Sequence, residues 1–428
     1  MFWRAVYNTI VIPTLYLGFH VAARLNPKVR AGIAGRHGVF EKLENQLQSA
    51  RRLPRTAWFH FTSVGEFEQA KPLIESIKDE ARIVLTYFSP SVTPNVTAYP
   101  HCDASAYLPF DTHHNAQQLI AHIKPSILIF SNSDIWPNLV WVASDHKVPI
   151  ILIAATIHAK SKRLNGIARA FYKSVNRHIT LHCVISDADA QRFRQICPPD
   201  AQIVVMGDTR FDRVYQRAMM VDEGAELFPG QSTVRRPIWI AGSTYAEDEA
   251  VLLEAYHLLR NRVPQLTLIL VPHEPTAERV KEIRTELDRF GFSHVCFSEL
   301  GDEATLDKTD IIVIDTVGIL AKLYRVGDIV FVGGSFHGSV HNVMEPAVMA
   351  KPIIFGPTIH NAHEANVLKA RGAARLVNTA QEMVDVLETW LSNTEERRRM
   401  GQLGQQVVEE NLGATERTLG HLRSYLSQ

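Results

Sequence analysis

The 428-residue sequence carries no excess charge of either sign, with 45 Lys and Arg against 45 Asp and Glu. It lacks the basic balance that a nucleic-acid-binding domain normally shows, so nucleic acid is not an expected partner, and any anionic ligand must be met by local clusters. Cysteine is scarce. The four present, Cys102, Cys183, Cys197 and Cys296, form no CxxC pair, which removes both a zinc frame and a disulfide framework and fits a reducing compartment. The 19 histidines include the close pairs His113–His114 and His337 with His341. Neither pair has the Cys or carboxylate company that a metal site needs, so no metal and no cofactor is expected. Short-period repeats, low-complexity tracts and the phosphate-loop motif G-x-x-x-x-G-K-[ST] are absent too, which excludes solenoids, disordered chains and P-loop enzymes.

One long apolar run is present, at the amino terminus. Residues 5–23 read AVYNTIVIPTLYLGFHVAA, close to the ~20 residues that cross a bilayer, with Arg4 before them and Arg24, Lys28 and Arg30 after. Asn8, Pro13 and His20 each weaken a spanning segment. A cleaved signal peptide is disfavoured because no small-x-small site clearly follows. Residues 1–36 therefore read as a membrane anchor or interfacial helix with a basic tail, and the positive residues place the body on the cytoplasmic side.

Beyond it, short runs rich in Ile, Val, Leu and Phe alternate with longer helical stretches. In the first half these runs are 57–61, 82–87, 126–130, 149–154, 182–185 and 202–206; in the second, 237–241, 266–271, 311–314, 329–332 and 352–355. Such runs predict buried parallel strands joined by helices. Gly, Pro and charge without an apolar period mark 222–236 as a linker. The expectation is an α/β chain of two doubly wound, Rossmann-like domains facing across a cleft, 37–221 and 237–428, with the last helix placed to pack back on the first. The charged stretch 394–426 reads as two solvent-facing helices.

Ligands of such sheets bind beyond the carboxyl ends of the strands, so the strand exits carry the chemistry. The first is Ser63-Val64-Gly65-Glu66. A carboxylate there suits a general base, yet S-x-x-E before an apolar run is equally a capping box. Gly65 tips the balance toward function, since glycine is a poor choice in a first helical turn. The second, Ser131-Asn132-Ser133-Asp134-Ile135-Trp136-Pro137-Asn138, either binds substrate or builds a tight loop. At the third, Arg210 stands between Asp208 and Asp212, either as an ion pair with Asp212 or as a clamp for phosphate or carboxylate. In the second half, Gly242-Ser243-Thr244 offers amides and hydroxyls at a helix start, where anions are favoured. Pro272-His273 ends the next strand. Gly333-Gly334-Ser335, followed by His341-Asn342-Val343-Met344-Glu345-Pro346, is the sharpest constellation: a glycine pair that lets a phosphate come close, then a Glu able to accept from ribose hydroxyls.

These residues together resemble the 3-deoxy-D-manno-octulosonic acid (Kdo) transferases. SVGE at 63–66, WPN at 136–138, the FD of 211–212 behind Arg210, AGST at 241–244, DTVG at 315–318, GGS at 333–335, HNxxEP at 341–346 and FGP at 355–357 follow the family order over nearly the whole chain. The resemblance implies a GT-B fold, CMP-Kdo as donor, a lipid A precursor (lipid IVA) as acceptor, and inversion without metal. It places the enzyme at the cytoplasmic face of a bacterial inner membrane, in contact with its lipid. Position by position, it makes Glu66 the general base and Arg210 the cation where the family often has Lys. It puts CMP on Pro272 and His273, on Val317, Gly318 and Ile319, and on Asn342, Val343, Met344 and Glu345. The sequence departs from the pattern in four places. Asn132 stands where many members have a Glu, leaving Asp134 or hydrogen bonds from Asn132 to support the transition state; Arg210 replaces Lys, His273 an Arg, and Ile319 a Glu. Two other readings stay open: a different GT-B enzyme using a UDP-sugar, as transferase or 2-epimerase, and a non-catalytic nucleotide- or lipid-binding relative.

Overall fold

The computed structural model describes residues 2–132, 134–220, 227, 237–300, 309–360 and 362–427; the linker read at 222–236 lies outside them except for Leu227. The described residues form two compact units. The first comprises 1–213 with 412–428, the second 214–411.

The first unit is built on seven strands: β1 (Thr56–Phe61), β2 (Arg82–Tyr87), β3 (Ala104–Tyr107), β4 (Ile127–Ser131), β5 (Ile150–Ala155), β6 (Leu181–Val184) and β7 (Ile203–Val205). They pair in parallel in the order β3-β2-β1-β4-β5-β6-β7. The second unit repeats the plan with β8 (Ile238–Thr244), β9 (Thr267–Pro272), β10 (His294–Cys296), β11 (Ile311–Val313), β12 (Ile329–Val332), β13 (Ile353–Phe355) and β14 (Ala374–Leu376). Its order is β10-β11-β9-β8-β12-β13-β14, again parallel. Two doubly wound α/β units are thus present. Central strands such as β1, β5 and β12 are buried at every residue, because helices cover both faces of a parallel sheet. β3, β10 and β14, which the sequence patterns do not mark, are short edge strands with few apolar residues.

The amino-terminal segment is helical from Phe2 to Leu25, with a π-turn at Tyr7–Val11 just before Pro13. Its first turns are fixed to the first unit. Arg4 pairs with Asp145 at 2.7 and 3.0 Å, the Tyr7 hydroxyl donates to Asp111 at 2.9 Å, and Asn8 exchanges hydrogen bonds with Asn138. Further along, Tyr16 and Phe19 lie edge-on to Phe110, yet Leu17 and Leu25 are 66% and 87% exposed.

The final stretch corrects the expectation of two solvent-facing helices. The helix Thr394–Glu410 buries Met400, Val407 and Val408, and the helix Ala414–Leu426 sends Leu419, Leu422 and Leu426 into the first unit's core beside Phe61 and Phe67. Their spacing of three and four residues makes one apolar stripe despite the charged majority. Asp212 seats this last helix, its carboxylate accepting the backbone N–H of Gly413 at 2.7 Å and of Thr415 at 2.6 Å. A buried charged cap of this kind contributes about 1–3 kcal/mol. Asp212→Ala should lower the denaturation midpoint of the first unit by a corresponding amount, and Asp212→Asn by less; unchanged urea melts of both variants would refute the capping role.

Candidate active site

The exit of β1 sets the first cluster. Ser63 is extended (φ −124°, ψ 165°) and caps the helix Val64–Ile77, its Oγ accepting from the Glu66 amide at 3.3 Å. Glu66 Oε2 in turn accepts from the Thr62 N–H at 2.5 Å and the Ser63 N–H at 3.2 Å. The capping box is therefore formed. The same carboxyl is also pushed up to about 7, because partial burial penalises its charged form more than the two amides favour it, and the negative charge of Asp134 adds to the rise. The capping box does not exclude base chemistry, its alternative in the sequence: the box aims the carboxylate and burial makes it proton-hungry near neutrality.

Around it, the Ser131 hydroxyl donates to the Glu66 carbonyl at 2.8 Å and pins the end of β4 to the first helical turn. Asn132 follows in the left-handed region (φ 60°), where Asn is among the better tolerated residues, with its N–H on Ile153 O at 2.8 Å. Asp134 lies 3.6 Å from Arg163. A methyl group at Gly65 would meet only the Ser63 Oγ, 3.9 Å away. Among the described residues nothing in the packing requires glycine there, and the face beside Glu66 is open.

Arg210 has a partner other than Asp212. Its Nε and Nη2 donate to Asp208 at 2.9 and 2.7 Å and its backbone N–H to the same carboxylate at 3.0 Å, while Asp212 is occupied by the last helix. Burial alone would raise the Asp208 carboxyl, but the Arg210 charge and hydrogen bonds outweigh it and hold it below the usual range. Thr209 Oγ1 donates to Gln69 O at 2.6 Å, which seats this loop on the second turn of the helix that Glu66 opens. Ser63, Gly65, Glu66, Asn132, Asp134 and Arg210 are thereby gathered in the first unit around one helix start.

The remaining candidates converge at the carboxyl ends of β8, β9, β11 and β12 in the second unit. Asp248, which the sequence reading passes over, organises them. Its buried carboxylate accepts from Tyr245 N at 2.9 Å, Gly334 N at 2.7 Å and Phe336 N at 3.1 Å. The signal was present: Asp248 stands three residues after Tyr245, where a side chain reaches back to the helix start. The Gly334 amide offered to an anion in the sequence reading is thus already engaged. The Ser335 hydroxyl, fully buried, accepts from Gly356 N at 2.6 Å, and the Thr244 hydroxyl donates to Glu249 at 2.8 Å. The glycine pair answers to backbone packing: a methyl at Gly333 would lie 2.4 Å from Ser243 O, and at Gly334, which has φ 90°, 2.2 Å from Ser339 O. Gly242 likewise gives room to Tyr324 and Leu320. Ser243 is left-handed (φ 56°), and His273 N donates to Thr244 O at 2.9 Å beside Pro272.

Four rings cover this rim. Tyr245 stacks on His337 at 4.2 Å, His273 on His341 at 4.3 Å, and Tyr245 lies 5.6 Å from His341. Burial, followed by the neighbouring His273 and His337, lowers His341 to about 4, so this ring is neutral at pH 7. Val317 and Gly318 are exposed, and Ile319 leads into the helix Leu320–Val326. Asn342 donates to Glu345 at 3.1 Å and accepts from Met344 N at 3.1 Å, with Val343 buried behind them.

Comparison with known proteins fits this arrangement. Residues 32–213 match the family model described as 3-deoxy-D-manno-octulosonic-acid transferase (kdotransferase). The 3-deoxy-D-manno-octulosonic acid transferase of Haemophilus influenzae is 26% identical over 100% of this chain and 99% of its own length; that of Aquifex aeolicus is 28% identical over 81% and 88%. Among solved structures, UDP-GlcNAc 2-epimerase from Neisseria meningitidis bound to UDP-GlcNAc superposes with a TM-score of 0.57 over 83% of this chain and 99% of that one. At 13% identity it shares the fold of two Rossmann-like units and nothing finer.

Infrared difference titration of the parent against Glu66→Gln should place the Glu66 carboxylate band at a midpoint near 7, against an ordinary 4.5. The raised value also means that stability held by the protonated form is lost as pH rises from about 4.5 through 7. Glu66→Gln should therefore gain on the parent in stability between pH 5 and pH 8. A midpoint near 4.5 would remove the basis for both expectations.

Proposed function

We propose that this chain, which is similar to the 3-deoxy-D-manno-octulosonic acid transferases, is a glycosyltransferase of lipopolysaccharide biosynthesis that moves Kdo from CMP-Kdo to a lipid A precursor with Glu66 as general base. The observation that carries this reading is a carboxylate fixed by two backbone amides at the β1 exit and raised to about 7. Glu66 takes the proton of an acceptor hydroxyl, a glucosamine 6-hydroxyl or a Kdo hydroxyl in a later round. That oxygen bonds to the anomeric carbon of Kdo from the face opposite the phosphate as the carbon–oxygen bond to CMP breaks, and CMP departs with the electron pair. The product is inverted. Arg210, oriented by Asp208, is the cation assigned to the negative charge that develops. Asn132 and Asp134 are assigned to the acceptor side, where Asn132 offers hydrogen bonds in place of a carboxylate.

The nucleotide is assigned to the second unit. Ser243, Pro272, His273, the exposed Val317 and Gly318 with Ile319, and the Asn342–Glu345 segment would contact CMP, with Glu345 at the ribose. The outer ring faces of this four-ring stack offer a nucleobase or sugar a stacking surface. Gly242, Thr244, Gly334 and Ser335 act by holding this rim in shape, since their hydroxyls, their amides or the space above them are already used.

The amino-terminal helix is assigned to the membrane surface. With Arg4, Tyr7 and Asn8 bonded to the first unit, the part beyond these anchors, residues 13–25, extends roughly 20 Å at 1.5 Å per residue, short of the ~30 Å hydrocarbon core. It lies in the interface, exposing Leu17, Val21 and Leu25 to lipid, and nearby Arg24, Lys28 and Arg30 meet anionic headgroups at the cytoplasmic face of the inner membrane.

The test is transfer by protein reconstituted in bilayers, with CMP-Kdo generated in place and a lipid A precursor as acceptor, in EDTA. The parent should yield Kdo-bearing lipid. Glu66→Gln, which keeps both amide contacts, should lose about 10²–10⁴-fold in rate. Equal rates would leave Glu66 a cap, and product from a UDP-sugar in place of CMP-Kdo would sink the donor assignment.

A further inference from the structure

Apart from Thr62, Asp134 and Arg163 in its lining, a partly open hollow in the first unit has no part in the account so far. It holds about 650 Å³, within the roughly 300–1,000 Å³ of small-molecule sites, and its wall is mostly apolar. One side is the amino-terminal helix, which contributes Trp3, Val6, Val11 and Leu15, residues spaced to share a helical face; the other is the helix Gly166–Asn176, which contributes Ile167, Ala168 and Phe171. Thr62, Asp134 and Arg163 add polar groups to the lining, the last two 3.6 Å apart. Thr62 is the residue whose N–H holds the Glu66 carboxylate. The hollow therefore adjoins the candidate base.

We propose that this cavity takes one acyl chain of the lipid acceptor, so that the amino-terminal helix is a wall of the acceptor site as well as a membrane contact. Two observations favour a lipid chain as the occupant. Apolar residues of the lining itself are exposed on both flanking helices, Leu15 at 42% and Ile167 at 77%, so a chain can enter from the bilayer past apolar side chains. Exposed Lys160 and Lys162 come just before Arg163 of the lining and suit the phosphates of an anionic lipid. The sugar of such a lipid would lie toward Thr62 and Glu66.

This inference rests on the acceptor being a lipid, and the experiment separates the two. Ala168→Phe and Val11→Phe fill the cavity from opposite walls without touching Glu66, Arg210 or the second unit. Each should raise KM for the acylated acceptor roughly tenfold or more, since a few methylenes displaced are worth that factor. Transfer to a deacylated, water-soluble disaccharide acceptor should stay within about twofold of the parent, which also reports that the variants are folded. Independently of turnover, 12-bromododecanoate should quench the parent's tryptophan fluorescence saturably, through Trp3 and Trp136, and quench either filled variant far less. No saturable quenching of the parent, or filled variants that use both acceptors as the parent does, would overturn the proposal. If the parent transfers Kdo to neither acceptor, the functional reading fails, and the quenching alone decides whether the cavity takes a chain.

Discussion

The Glu66 carboxylate accepts two backbone N–H groups at the end of β1 while lying partly out of water, and most of the first unit's site follows from that combination. Amides stabilise the ionised form and burial opposes it; burial prevails, so the group holds its proton up to about pH 7. Because the amides belong to the residues just before the helix, the carboxylate cannot swing away without undoing the helix start. A rigidly aimed base needs no reorganisation when substrate arrives. The Ser131 hydroxyl on Glu66 O and the Thr209 hydroxyl on Gln69 O then fasten the β4 exit and the Arg210 loop to the same helix, so one secondary structure element indexes the base, the Asn132–Asp134 exit and the cation.

The second unit solves a similar problem with another buried carboxylate. Asp248 gathers three amides from two strand exits; Gly333 lets the β12 exit lie against the β8 exit, and Gly334 lets its own loop fold back on Ser339, at distances no side chain would permit. The rim is consequently stiff where hydroxyls and amides are already spent, and open at Val317 and Gly318. Polar groups that a sequence reading naturally offers to a ligand serve here as the frame, while aromatic rings form the exposed surface.

How much of this was legible in the sequence depended on range. Central strands are continuous apolar runs because both sheet faces are covered, so β1, β4, β5, β8, β9 and β12 could be read directly, and with them the strand exits. Edge strands β3, β10 and β14 carry no such run. The S-x-x-E pattern at Ser63 marked the helix start but could not separate cap from base, since the spacing is common to both. Arg210 was set against two carboxylates, and the choice of Asp208 over Asp212 was fixed by the last helix, some two hundred residues away, claiming Asp212. The apolar hollow was invisible for the same reason: Trp3, Trp136 and Phe171 meet only in the fold.

The pH dependence of kcat/KM for Kdo transfer by the membrane-reconstituted protein tests the central claim most directly. With Glu66 as the base and its carboxyl near 7, the rate should fall tenfold per pH unit below about 7, and Glu66→Gln should lose this acid limb together with most of its activity. A profile flat from pH 5 to pH 8 in the parent would contradict the account.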